Sequence, residues 1–534
     1  MNLIVTGIII LTTFLNISSY FVLATRTPQF TVFLGTVHYP MDYLDYLAFI
    51  TQGKNHWFLS YHVFTGETTR LELLNWIYTF GGHIGSFFHL TAPITYQVLV
   101  VVASAAYLYI AYRLASLLFP TNKTTRLIAY ILFLLSNEFP KIYADHGIWI
   151  FSYFYPWNNI GEPLVRLTNV PHHLFIQFGI MAAFVAGITY WLKLGKKHLI
   201  ILAFLGCFVA SMQPLQWALV TGVLGVSGLF AWWQTKTEER RTTLVKQGLF
   251  AFLPSVIFFL SGLPVAIYLK HLYVLAPYDY TLIWEATQQV RLTILQFIIL
   301  NGPLMVLAIL AIPFVVKKIT IREFPIIFYS VFVIAVFFSP IPDYAKILNL
   351  RFLSVIPTFA CAYLAARLIW LAAAKVDPKR KNMLAWFLSI VALSITLPVT
   401  ANQFYSRTLT VGPTDVNAYL PLGAYETFNV AQRVVGPTET ALVEPLFSDT
   451  FAGLTGKHVF VSNEFATIDY TRKIQEATDF YYNKQLSDSY KIAWLHKNHI
   501  SYIFTYAWVP IYLPNLSIVY QNQYAIFYKV TNAK

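Results

Sequence analysis

The sequence predicts a polytopic α-helical membrane protein that ends in a small α/β region, and three observations carry that reading. The chain of 534 residues is 57% hydrophobic and only 11% charged, less than half the roughly 25% charge of soluble domains. Eleven mostly apolar segments recur along residues 1–402, most of them close to the ~20 residues that a membrane-crossing helix needs. After residue 402 the composition turns polar and mixed in charge, with alternating strand-like runs.

The apolar segments lie near 3–24, 93–117, 126–139, 172–192, 198–212, 216–233, 247–269, 292–316, 324–340, 352–374 and 383–402, the third and fifth being short. The first is expected to be a retained span. Val22-Leu23-Ala24 resembles a leader-cleavage site, but no basic residue precedes the apolar run, which is long. Residues 71–90 contain Glu72 and His83, and Gly81-Gly82 is expected to break them into an interfacial or re-entrant helix.

Basic residues set the orientation. With eleven spans and the amino terminus inside, clusters such as Lys193/Lys196/Lys197, Arg240/Arg241 and Lys379/Arg380/Lys381 fall on inner loops. Those loops then hold about twice the basic residues of the outer loops, as the positive-inside rule requires. The net charge of +13 therefore marks topology and forms no face for nucleic acid. Acids run the other way, so the long outer loops 25–92 and 140–171 and the region 403–534 are placed outside the cytoplasm. A bacterial cytoplasmic membrane is the expected setting. Cys207 and Cys361 both sit in apolar segments, which provides neither a disulfide framework nor a cysteine metal motif. No glycine-rich phosphate loop occurs.

Residues 403–534 read as one folding unit of ordinary domain size. Strands are expected at 441–446, 457–462, 501–506, 516–521 and 524–530, with helices over 470–485 and 487–498.

The densest polar chemistry of the apolar part is His38–Arg70, with Asp42, Asp45, Lys54, His56, His62, Glu67 and Arg70. Ionisable groups beside a bilayer cost free energy and mark function. Asp42 and Asp45 are three apart in MDYLDYL and would share one face of a helix. Either suits a base that takes a proton from an incoming hydroxyl or amide; the competing reading is two solvated loop aspartates, one capping a helix. The second outer loop offers Asp145-His146, followed by His172-His173. Asp42, Asp145 and His146 make an oxygen and imidazole donor set for a divalent ion, Mg²⁺ or Mn²⁺. Arg351, at the outer mouth of the tenth segment, can fork onto a phosphate or snorkel to headgroups. Lys54, Arg70 and His173 are further anion-binding candidates.

This layout, with MDYLDYLAF just after the first span, resembles the GT-C superfamily of integral-membrane glycosyltransferases. The resemblance implies sugar transfer from a polyprenyl-phosphate donor to a glycan, lipid or protein acceptor at the extracytoplasmic face. It also implies Asp42 or Asp45 as the base, Asp145 as the second-loop acid and Arg351 as the phosphate-binding arginine. The branch stays open. The terminal region has no Trp-Trp-Asp motif of the oligosaccharyltransferases, and each early aspartate precedes a tyrosine, where protein mannosyltransferases pair theirs with glutamate. Two rival classes are a transporter or lipid flippase, and a non-catalytic membrane scaffold. Transporters place polar sites near the midplane, whereas no charged residue falls near the centre of a segment here.

Overall fold

The computed structural model describes residues 3–37, 39–145, 148–152, 170–236, 244–315, 319–376, 379–407, 409 and 411–531. All eleven apolar segments form helices. Eight are long and apolar enough to cross a membrane, among them Leu3–Thr25, Ala92–Leu118, Pro171–Lys193, Ile294–Val315 and Ile356–Ala373. Lys123–Leu135, Lys197–Met212 and Phe324–Phe338 have 13, 16 and 15 residues, short of the ~20 that a bilayer asks for. The chain is an integral membrane protein in its helices and apolar content.

Contacts divide the chain into two compact units: Met1–Asn16, Val102–His271 and Glu285–Ser406 in one, and Ile17–Val101, Leu272–Trp284 and Arg407–Lys534 in the other. The first is a helical bundle. Its core stacks Tyr107, Phe133, Phe184, Tyr329 and Phe359, all fully buried. The Ile294–Val315 helix is interrupted at Gly302, whose φ of 63° suits a residue without a β-carbon. A β-carbon there would also collide with the Asn137 carbonyl. Asn137 is fixed in turn by Nδ2 hydrogen bonds to Thr400 (3.0 Å) and Gln403 (2.9 Å).

In the second unit, β1 (Thr31–Phe33) of the first-loop region pairs antiparallel with β4 (Tyr419–Pro421). A separate pair, β2 (Lys141–Asp145) with β3 (Ile148–Ser152), forms a hairpin in the first unit. The main sheet of the second unit has five strands: β5 (Thr440–Val443), β6 (His458–Val459), β7 (Ile500–Tyr506), β8 (Leu516–Gln521) and β9 (Ala525–Val530). Their spatial order is β6-β5-β7-β9-β8. β5 pairs in parallel with β6 and β7, and β9 pairs antiparallel with β7 and β8. Side chains alternate across β7. Ile503 packs with Phe480 and Trp494 on one face, and Phe504 with Phe428 and Phe447 on the other. All five strand expectations and both helices hold, the helices being Tyr470–Tyr482 and Asp488–Lys497. Helices Leu422–Val434 and Ser448–Thr455 were not expected from sequence.

The first-loop region is knitted further into this unit. The Val459 amide donates to the Val63 carbonyl at 3.0 Å. His62 is buried, with Nε2 2.8 Å from the Ala466 carbonyl. Within 71–90, Trp76–Phe87 is a continuous helix of 12 residues, too short to cross a bilayer. Gly81-Gly82 does not break it, which corrects the expectation. Gly82 is where this helix meets the carbonyl of Ile50 on the Pro40–Gln52 helix, and any β-carbon would collide with that oxygen.

Gly82→Ala is therefore expected to destabilise the protein by about 3 kcal/mol, the upper range for overpacking, because the obstacle is backbone. Gly7→Ala, which meets open space, should cost nothing. Melting temperatures of the two variants in detergent check this.

Burial pushes the His62 imidazole down to about 4. Below its unfolded pKa of 6.5 the unfolded chain binds a proton that the folded chain refuses, so stability falls as pH drops from 6.5 to 4. The loss is roughly 3 kcal/mol. Melting curves at about pH 7 and about pH 4.5 should show it, and His62→Gln should shrink the difference.

Candidate active site

The Pro40–Gln52 helix begins with proline at its first position, after Tyr39 in a left-handed conformation. Asp42 lies in the first turn, where the helix dipole favours a carboxylate, and is half-buried. Asp45, one turn on, is only 8% exposed. The MDYLDYL spacing thus places both acids on one helical side, with a gradient of exposure from Asp42 inward. Tyr43, on the buried side, donates from its hydroxyl to the Leu34 carbonyl (2.6 Å) and packs edge-on against Tyr96 (4.8 Å).

Two residues with no local sequence signal complete the surroundings of Asp45. Asn463 donates from Nδ2 to Asp45 Oδ1 at 3.1 Å. Asp449, at the start of the Ser448–Thr455 helix, accepts from the Ser462 hydroxyl. Burial raises the Asp45 carboxyl well above the usual carboxylate range, and the charges of Asp449 and then Asp42 push the same way, against the Asn463 hydrogen bond. Asp449 is raised by burial as well. The result is a buried Asp45 beside a half-buried Asp449, a carboxyl pair that favours holding a proton, with Asp42 one turn away on the same helix as Asp45.

Elsewhere in the same unit Lys473 donates to both carboxylate oxygens of Glu67 (2.6 and 2.7 Å) and to Thr65 Oγ1 (3.0 Å). Partial burial works against the Glu67 charge, and Lys473 and Thr65 outweigh it, so that carboxyl sits below its ordinary value. This pair ties the first-loop region to the Tyr470–Tyr482 helix. Lys54 and Arg70 are exposed.

In the helical bundle, Arg351 sits on the short Asn349–Phe352 turn and makes a two-pronged ion pair with Glu285, with Nε 3.0 Å from Oε2 and the second prong from a terminal nitrogen to Oε1. The buried Gln216 fixes the turn, donating to the Arg351 carbonyl at 2.7 Å. Next to this turn a small groove of about 30 Å³ is lined by Phe297, Leu300, Phe337, Leu350, Leu353 and Ser354. His173 stands at the start of the Pro171–Lys193 helix with its ring 4.4 Å from that of His172. Asp145 ends β2; its side chain and His146 lie outside the described residues. Among the described residues no three His, Cys, Asp or Glu side chains group closely enough to hold a metal ion.

No protein-family model matches the sequence, and no protein of curated function matches it. Solved structures do. The archaeal oligosaccharyltransferase AglB of Archaeoglobus fulgidus, solved with an inhibitory peptide and a dolichol-phosphate, superposes with a TM-score of 0.57 at 10% identity, over 94% of this chain and 69% of that one. The same enzyme with zinc and sulfate gives 0.54 at 10% identity, over 93% and 67%. The mycobacterial arabinofuranosyltransferase AftD gives 0.52 at 13% identity, over 98% of this chain and 42% of that one. At these identities the likeness is one of fold, and it extends over nearly the whole chain. The chain has the fold of the GT-C membrane glycosyltransferases.

Proposed function

We propose that this protein transfers a sugar from a polyprenyl-phosphate donor to an acceptor at the extracytoplasmic face of a bacterial cytoplasmic membrane, with its amino terminus in the cytoplasm. The observation that carries the reading is the graded carboxylate set on the Pro40–Gln52 helix. A base must reach the proton it takes. Asp42, half-buried in the first turn, has that reach, and Asp45 does not. Asp45 and Asp449 act from behind: any negative charge they carry makes Asp42 a stronger base.

In this scheme Asp42 removes a proton from the acceptor as its heteroatom attacks the anomeric carbon, and the bond from that carbon to the phosphate oxygen breaks. The departing lipid phosphate gains charge that a guanidinium can offset. Arg351 is the candidate for that role: Gln216 fixes its turn, and the phosphate would replace Glu285 on its fork. A divalent ion, Mg²⁺ or Mn²⁺, would draw on oxygen donors such as Asp42, and Asp145 and His146 of the second loop are separate candidates for such a role. Lys54, Arg70 and His173 are second-rank anion contacts. That AglB was solved with a dolichol-phosphate supports a lipid-phosphate donor here.

The test is transfer from a polyprenyl-phosphate sugar pool in proteoliposomes. Asp42→Asn should lower turnover by about 10²–10⁴ with an unchanged melting temperature; normal turnover would refute the assignment.

Asp45→Asn should behave differently, staying within about tenfold of wild type while raising the melting temperature at neutral pH. The raised folded pKa means the native carboxyl binds its proton more tightly than the unfolded one, so its contribution to stability declines as pH rises through the folded value. The gap between variant and wild type should therefore close toward about pH 4. A variant less stable than wild type at neutral pH would contradict this account of Asp45.

A further inference from the structure

Strands β6, β5 and β7 run parallel in that spatial order. The chain leaves β5 toward β6 and returns on the other side as β7, which makes the carboxyl ends of β5 and β7 a topological switch point. Open α/β sheets bind ligands in the crevice that forms there. The residues at these strand ends are unusual for a surface. Glu444 directly follows β5, is 7% exposed, and accepts from the Tyr482 hydroxyl at 3.0 Å, the Leu446 amide at 3.0 Å and, more weakly, the Tyr506 hydroxyl at 3.5 Å. Its donors are neutral groups. Tyr506 ends β7 and stacks in parallel on Trp508 at 4.6 Å, and Tyr524 meets Trp508 edge-on at 5.3 Å. Trp508 nevertheless remains 61% exposed. Its turn is held stiffly: the Val509 amide donates to the Tyr506 carbonyl (3.0 Å), the Ala507 amide to the Tyr524 carbonyl (2.9 Å), and the Thr505 hydroxyl to the Val509 carbonyl (2.9 Å).

We infer that this crevice binds a neutral sugar ring, stacked by its C–H face on Trp508 and hydrogen-bonded to the tyrosine hydroxyls that Glu444 orients. The geometry selects this ligand over a cation. An aromatic cage turns several ring faces toward one centre, whereas Tyr506 and Trp508 spend facing surfaces on each other and present a single flat platform. With their protons directed at Glu444, the phenol oxygens of Tyr482 and Tyr506 keep lone pairs to accept from ligand hydroxyls. A carboxylate at the base of the crevice repels an anionic sugar. The site is preorganised, which lowers the entropy lost on binding. Its use as a grip on a glycan acceptor rests on the glycosyltransferase reading; binding of the ring does not.

The test uses full-length protein in detergent and saturation-transfer NMR with maltotriose, mannotriose, arabinotriose, trigalacturonate and tetramethylammonium, with no donor present. At least one neutral trisaccharide should bind. Trp508→Ala should weaken its Kd by about tenfold or more, the scale of one lost aromatic contact, and Trp508→Phe should restore part of it. The inference is overturned if no neutral trisaccharide gives a signal, if Trp508→Ala leaves binding unchanged, or if tetramethylammonium or trigalacturonate binds at Trp508 instead. Trp508-dependent binding in a protein whose Asp42→Asn form still transfers sugar would sink the catalytic reading alone; loss of transfer in Asp42→Asn without saccharide binding would sink the crevice alone.

Discussion

The Pro40–Gln52 helix is seated by backbone against backbone. Where it meets the Trp76–Phe87 helix, the Ile50 carbonyl comes so close to Gly82 that no side chain fits between them. Contact at that range leaves little freedom for rotation or sliding, because the obstacle is a carbonyl and not a side chain that can swing away. Asp42 and Asp45 ride on this helix, so their direction and depth follow from the glycine contact. Tyr43 adds to it, fastened to Leu34 and packed on Tyr96.

Such rigidity offsets an electrostatic cost. Asp45 is buried and Asp449 half-buried, and each is driven toward its protonated form. A chain selected for stability alone would favour amides at these places, since burying a carboxylate without a cation is unfavourable. Asn463 and Ser462 ease the cost with side-chain hydrogen bonds and leave much of it standing. A retained cost of this kind is what a proton-handling site requires. In the helical bundle the balance is the reverse. There Arg351 and Glu285 neutralise each other.

Two kinds of chemistry flank the parallel strands. Asp449 at the start of the Ser448–Thr455 helix and the partners Ser462 and Asn463 beyond β6 lie on one side, whereas Glu444 after β5 holds Tyr482 and Tyr506, on which Trp508 stacks. A single sheet thus carries hydrogen-bonded carboxyls in one place and an exposed aromatic surface in another, within one compact unit.

Sequence alone determined the membrane character, the eleven apolar helices, and the strands and helices of the terminal region. Those features are written in local periods of about 3.6 and about 2 and in runs of apolar residues. The placing of polar chemistry after the first span was legible for the same reason, since charge stands out against an apolar background. Helix length limited the reading: three of the eleven segments are shorter than a bilayer needs. Gly81-Gly82 misled it, because a glycine pair reads as a break until the partner helix it admits is known. Asn463 and Asp449 lie about 400 residues beyond Asp45, and Glu285 lies far from Arg351. Only the tertiary structure decided those pairings, because a hydrogen bond or a buried charge depends on distance in space, and nothing in local composition records which distant residues the fold brings together.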